Sequence, residues 1–223
     1  MHKLIIFDID GTLTATTDVD SDCYTRAISD HLGSPVDTDW ASYRHVTDAG
    51  IATELLTKHG RPIEELAAVK ERFVTLLMRA LHESPSCCAQ IPGASTLLLS
   101  LRQMPRLTIG VATGGWCTSA MAKLRFAAID IAGLAFASSD DALSRIDIMK
   151  ACHDRAAANA RSFTEITYVG DGIWDAKASE ALGWRFIGVG AGASAERLRS
   201  AGVRAILADY RDIAAFWKAA ELR

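Results

Sequence analysis

Two carboxylates, Asp8 and Asp10, stand at the end of an apolar run in LIIFDIDGTLT, residues 4 to 14. A charge taken out of water is costly unless it is paired, protonated or bound to a metal. Either the run ends there or the acids act on something held beside it. Residues of similar promise close three later apolar runs: Thr113-Gly114-Gly115, then Arg145 within SSDDALSRIDIMK, then Asp171-Gly172 with Asp175 three residues after Gly172. Several acids, a hydroxyl beside two glycines and one cation in a common crevice would suit Mg²⁺, a hard cation with oxygen ligands, and a phosphate group.

Such a crevice needs elements to build it. LIIFDI (4 to 9), LTIGVAT (107 to 113), LAFAS (134 to 138), ITYVGD (166 to 171), FIGVG (186 to 190) and AILAD (205 to 209) are short apolar runs of strand length. Helix-length stretches lie between most of them: GASTLLLSLRQM, WCTSAMAKLRFAA, SRIDIMKACHDRAAANA and DAKASEAL. Ser144, with Asp147 three residues on, reads as a helix N-cap in a capping-box pattern. Gly183 suits the left-handed position past a helix end. Strand and helix alternating in this way predict an α/β fold, a Rossmann-like parallel sheet with helices on both faces. Ligands of such sheets bind outside the carboxyl ends of the strands, where the connections diverge, and the chemistry-bearing residues above stand at those ends.

Residues 17 to 87 break the alternation. Helical patterns alone occur there: VDSDCYTRAISDHLG closing in Gly33, DAGIATELLTKHG closing in Gly60, and PIEELAAVKERFVTLLMRALHE opening at Pro62. This block is too long for one crossover, so the expected organisation is a catalytic core of residues 1–16 and 88–223 with a small all-α cap, 17–87, inserted over the end of the first strand.

The order and spacing of D-x-D-G-T at 8 to 12, Thr113, a basic residue at 145 and G-D-G-x-x-D at 170 to 175 resemble the four motifs of the haloacid-dehalogenase-like hydrolases. The helical insert resembles the cap of the phosphoglycolate-phosphatase-like branch. The resemblance covers nearly the whole chain and implies a Mg²⁺-dependent phosphatase acting on a small-molecule phosphate ester. Asp8 would be the nucleophile, forming an aspartyl-phosphate that splits one hard displacement into two easier ones. Asp10 would be the general acid and then the base. Residues two apart in an extended segment point to the same side, so both carboxylates can reach one phosphorus, and Gly11 would permit the sharp exit that exposes them. Metal ligands would be Asp8, the backbone carbonyl of Asp10 and Asp171, with Asp175 ordering that shell. Asp175 also suits a turn and a helix start.

Thr113 and the Gly114 N–H would hold phosphate oxygens at the start of a helix; an N-cap threonine before a flexible turn is the plainer reading. Arg145 stands where the family supplies a cation to neutralise the phosphate. Lys150, the rival, is five residues on and faces about 140° away at roughly 3.6 residues per turn, which reads as a solvated helix charge. In the cap, YRHVTDAG (43 to 50) is the most polar stretch. Arg44, His45 and Asp48 are candidates for substrate contact against the reading of an ordinary solvated loop, and Asp48 equally suits a cap for the helix that follows. Trp116 and Trp174 flank the site in sequence, with apolar packing as their expected role.

The 223 residues carry a formal charge of −3, 49% hydrophobic and 23% charged residues. No Lys/Arg block points to nucleic acid or an anionic membrane. The start, MHKLIIFDID, lacks the longer apolar region of a signal peptide, and no run approaches the roughly 20 residues of a membrane span. Five cysteines without a C-x-x-C pair read as reduced thiols. The expectation is a cytoplasmic monomer or homodimer. In the family this chain resembles, branches that cleave carbon–halogen bonds or phosphonates carry a different residue at this second position, so the resemblance with Asp10 in place implies phosphate-ester hydrolysis. A phosphomutase on the same core, or a non-catalytic phosphate-binding regulator, stands as the alternative.

Overall fold

A computed structural model describes residues 2–158 and 162–222. Six parallel strands form one sheet in the order β3-β2-β1-β4-β5-β6: β1 (Lys3–Phe7), β2 (Leu107–Ala112), β3 (Ala135–Ala137), β4 (Glu165–Gly170), β5 (Arg185–Val189) and β6 (Ile206–Leu207). In the central strand, Ile5 and Phe7 enter one apolar cluster while Leu4 and Ile6 enter another on the opposite face. That period-2 split is what a strand covered on both sides requires. The expected α/β architecture is present.

The register puts the chemistry-bearing residues level with one another. Phe7 pairs with Val111 on one side and Val169 on the other, so Asp8, Thr113 and Asp171 emerge at one end of three adjacent strands. The chain reverses its direction of winding across the sheet between β1 and β4, the position where open parallel sheets leave a crevice. Several expected strands are shorter than their apolar runs: β1 stops at Phe7, before the acids, β3 keeps Ala135–Ala137 of LAFAS, and β6 keeps only Ile206 and Leu207 of AILAD.

Among the described residues, 17 to 87 hold no strand. α1 (Thr17–Leu32) ends at Gly33 in the left-handed conformation, α2 covers Asp48–Lys58 and α3 Leu66–Glu83. The start expected at Pro62 is instead a single 3₁₀ turn, Ile63–Glu65, leading into α3. The remaining helices are α4 (Ala94–Arg102), α5 (Cys117–Phe126), α6 (Arg145–Ala157), α7 (Ile173–Leu182), α8 (Gly192–Ser200) and α9 (Ile213–Ala219). Ser144 caps α6 as expected: its Oγ accepts from the Asp147 N–H at 3.1 Å and donates to Asp147 Oδ2 at 2.5 Å. The last residues of the helix expected from SRIDIMKACHDRAAANA, 159 and 160, lie outside the described residues.

Trp116 packs as expected. It is buried against Tyr24 of α1 and Phe73 of α3, both at 5.8 Å between ring centroids. Aromatic burial of this kind is a large apolar contribution, and here it joins the helical block to the sheet. Trp174 is half-buried.

Candidate active site

The site begins where β1 stops. Asp8 is 4% exposed, and its backbone N–H donates to the Val169 carbonyl at 2.9 Å, continuing the sheet ladder one step past the strand. The chain then turns at Gly11, whose φ of +70° an L side chain rarely adopts. The Gly11 N–H donates to the Thr14 carbonyl at 2.8 Å to close the turn. Its missing side chain makes room as well: a Cβ there would lie 2.1 Å from Asp171 Oδ2.

Around Asp8 stand Asp171, after β4, and Asp175, in the first turn of α7. One carboxylate oxygen from each of Asp8, Asp171 and Asp175 lies within 4.8 Å of the others. Asp175 is fully buried and accepts from the Gly172 N–H at 3.1 Å. Its role at the helix start is therefore real, while its other oxygen faces the Arg145 guanidinium at 3.3 Å. Burial and the repulsion of Asp175 push Asp8 well above the ordinary carboxylate range, with Arg145 opposing. Burial, then Asp175 and Asp10, push Asp171 up to about 8. Burial drives all three converging carboxylates toward protonation, with repulsion adding to it at Asp8 and Asp171; as oxygen donors they fit a hard divalent cation.

Arg145, the first residue of α6, reaches the same place from the far side. Its Nη1 lies 3.3 Å from Asp8 Oδ1 and its Nη2 donates to the Val46 carbonyl at 3.1 Å. Burial works against its charge, but Asp175, Tyr168 and Asp8 outweigh it and hold the guanidinium charged. The guanidinium lies over Gly114, where a Cβ would come within 2.5 Å of Nη2. Lys150 is elsewhere, half exposed and 3.8 Å from Asp147 on its own helix.

Thr113 is buried, and its Oγ1 accepts from the Gly115 N–H at 3.0 Å. It is not the N-cap of α5, which starts only at Cys117. At the start of that helix two N–H groups are already engaged: that of Trp116 donates to Asp48 Oδ2 at 2.9 Å and that of Cys117 to Asp140 Oδ2 at 2.8 Å.

The polar stretch of the helical block meets the sheet here. Asp48 is buried; besides accepting from Trp116, its N–H donates to the Gly114 carbonyl at 2.8 Å and its carbonyl accepts from Tyr24 Oη at 2.5 Å. Capping of α2 falls to Thr47, which accepts from the Gly50 N–H at 3.0 Å and donates to the Leu143 carbonyl at 2.7 Å. Arg44 is exposed and His45 half-buried, and neither side chain makes a hydrogen bond or ion pair to the acidic cluster. Of the three expected substrate contacts, Asp48 bonds to the core, and its partners there are the Trp116 N–H and the Gly114 carbonyl.

Two residues of the site were not expected from the sequence. Asp10, whose Oδ1 accepts from Thr16 Oγ1 at 2.5 Å, has Lys123 Nζ at 2.6 Å from Oδ2; the same ammonium lies 2.5 Å from Asp20 Oδ1. Burial works against the charge on Lys123, but Asp10, Asp20 and Asp48 raise its pKa above the ordinary lysine value. Burial lifts Asp20 to about 6 against the pull of Lys123. A signal for Lys123 existed: it falls on the buried face of α5 with Ala120 three residues before and Ala127 four after, a position where helical periodicity calls for an apolar side chain.

The family profile described as "haloacid dehalogenase-like hydrolase" matches residues 2–183 of the 223. The chain belongs to that family. No curated protein matches it. Among solved structures, this haloacid dehalogenase-like hydrolase is similar to a hydrolase from Pseudomonas syringae, at 22% identity and a TM-score of 0.74, with 96% of this chain and 97% of that one covered. It is also similar to the β-phosphoglucomutase of Clostridium difficile, at 17% identity and a TM-score of 0.72, covering 99% and 98%. A third likeness is to CbbY from Rhodobacter sphaeroides in complex with phosphate, at 19% identity and a TM-score of 0.68, covering 96% of each chain. At these identities the likeness concerns the fold. Among the described residues, no helix is long and apolar enough to cross a membrane.

Proposed function

We propose that the chain is a Mg²⁺-dependent phosphatase that hydrolyses a small phosphorylated metabolite through an aspartyl-phosphate on Asp8. The observation that carries this reading is the setting of Asp8: a buried carboxylate at a strand end, with one guanidinium 3.3 Å away and two further carboxylates converging on it. A structural ion pair would need one acid for Arg145, not three. Mg²⁺ held by Asp8, Asp171 and the Asp10 carbonyl, with Asp175 beside them, would neutralise charge between nucleophile and phosphate.

The chain's own residues do the rest. Asp8 attacks the phosphorus in line, forming an O–P bond as the ester O–P bond breaks. Asp10 gives its proton to the departing oxygen, and Arg145 stays against the phosphoryl oxygens with the Thr113 hydroxyl beside them. Asp10, now a carboxylate, takes a proton from water as that water attacks phosphorus, releasing phosphate and freeing Asp8. Residues 17–87 act as a cap on a core of 1–16 and 88–223: Asp48 and Thr47 bond to core backbone, and Lys70 pairs with Asp140. Closed in this way the cap excludes bulk water from the attack. Five free thiols suit a cytoplasmic enzyme.

The test is Asp8→Asn, assayed with Mg²⁺ on a panel of phosphorylated metabolites and one chromogenic aryl phosphate. Turnover should fall on the order of 10³-fold or more with the circular dichroism spectrum unchanged. Hydrolysis near the wild-type rate would remove Asp8 as the nucleophile.

A further inference from the structure

Lys123 is 0% exposed and takes no part in the steps above. A buried ammonium is costly unless its donors are met, and here they are met by acids from separate elements. Asp10 belongs to the loop after β1 and Asp20 to the first turn of α1. Asp48, from α2, closes the group: a Cβ on Gly115 would lie 3.7 Å from both Asp48 Oδ2 and Lys123 Nζ. A buried ion pair is a weak source of stability compared with apolar packing of the same volume. Fixing the direction of a reacting group is, by contrast, worth large factors in rate.

We propose that Lys123 is a positioning residue for the acid/base step: its ammonium, anchored on Asp20, clamps Oδ2 of Asp10, so that the exchanged proton travels on Oδ1. Both oxygens of Asp10 are then accounted for. Oδ2 faces a donor that cannot accept, whereas Oδ1 faces the Thr16 hydroxyl at 2.5 Å. A hydroxyl both donates and accepts, so Thr16 accommodates Oδ1 with or without its proton, and Thr14 Oγ1 at 2.6 Å continues the chain of hydroxyls. Without the clamp, the Asp10 carboxyl turns freely about its side-chain bonds and its proton is no longer aimed at the leaving oxygen.

This inference rests on the phosphatase reading, and a leaving-group series separates the two. The probes are aryl phosphates running from 2,4-dinitrophenyl to unsubstituted phenyl, assayed with Mg²⁺. A dinitrophenolate departs without a proton; a phenolate benefits from one. Lys123→Met should lower kcat/KM for phenyl phosphate by about 10²-fold and for the dinitrophenyl ester by less than about fivefold, since general acid catalysis is worth about 10²- to 10⁴-fold. The loss should fall on kcat with KM nearly unchanged, and Lys123→Arg should recover part of it. In Asp10→Asn enzyme, adding Lys123→Met should not steepen the series further. An equal loss on every ester, or additivity with Asp10→Asn, would make Lys123 a purely structural ion pair and overturn the proposal. If Lys123→Met does not fold, by circular dichroism, the series is run on Asp20→Asn, which should steepen it less strongly; an unchanged slope there overturns the proposal equally. Wild-type enzyme inactive on every ester would overturn the phosphatase reading, and this inference with it.

Discussion

At the scale of single residues, the most constrained position next to the acids carries no charge at all. Gly11 turns the chain out of β1 with φ at +70°, and a side chain there would run into Asp171. Gly11→Ala meets two costs. The left-handed backbone disfavours an L residue by about 1–2 kcal/mol, and Asp171 must move away from a Cβ placed 2.1 Å from its Oδ2. The first cost reads out as stability, in a lower urea midpoint and an unfolding free energy reduced by that amount. The second reads out at the metal, as a higher Mg²⁺ concentration for half-maximal activity. A lowered midpoint with unchanged Mg²⁺ activation would show that Asp171 does not serve the cation.

At the scale of elements, α6 delivers its first residue, Arg145, to Asp8, and Ser144 fixes where that helix begins. Ser144→Ala leaves the Asp147 N–H without its partner, a cost of about 1 kcal/mol. Fraying then falls on the very turn that carries Arg145, so KM for phosphate esters should rise along with the loss in thermal stability; a stability loss with KM unchanged would mean that packing alone positions the guanidinium. The cap at Ser144 was legible because capping boxes and apolar runs are local signals, and the same holds for the strand ends that gather Asp8, Thr113 and Asp171. Position relative to a partner element was less legible. Asp48 reads locally as a helix cap, yet Thr47 takes that place and Asp48 turns to the Trp116 N–H, a contact spanning 68 residues. Arg44 and His45 read as part of the same polar stretch, but neither side chain bonds to the cluster. The Lys123–Asp20 pair joins residues 103 apart, and only the misplaced charge on an apolar helix face hinted at it.

At the scale of the whole molecule, the acidic cluster ties folding to pH and to metal in a direction opposite to that of most carboxylates. A salt-bridged acid usually has a lowered pKa and stabilises the fold as pH rises. Here burial raises Asp8, Asp171 and Asp175 above their ordinary value of 3.8, and repulsion between carboxylates adds to it at Asp8 and at Asp171, the latter reaching about 8. Between the unfolded and folded values the native protein holds protons that the unfolded chain has released, so stability falls as pH rises through that window. The slope is about 1.4 kcal/mol per pH unit for each group still holding its proton. The metal-free protein, prepared with a chelator, should therefore lose Tm steadily between pH 5.5 and 8. A divalent cation requires the same oxygens deprotonated and binds only the folded arrangement. Added Mg²⁺ should accordingly raise Tm little at pH 5.5, where it must displace protons, and most at pH 8, where the repelling carboxylates have nothing else to neutralise them but Arg145. Differential scanning calorimetry with and without Mg²⁺ across this range measures both effects. A metal-free Tm that climbs from pH 5.5 to 8, or a Mg²⁺ shift of equal size at both ends, would mean that Asp8, Asp171 and Asp175 do not share a cation.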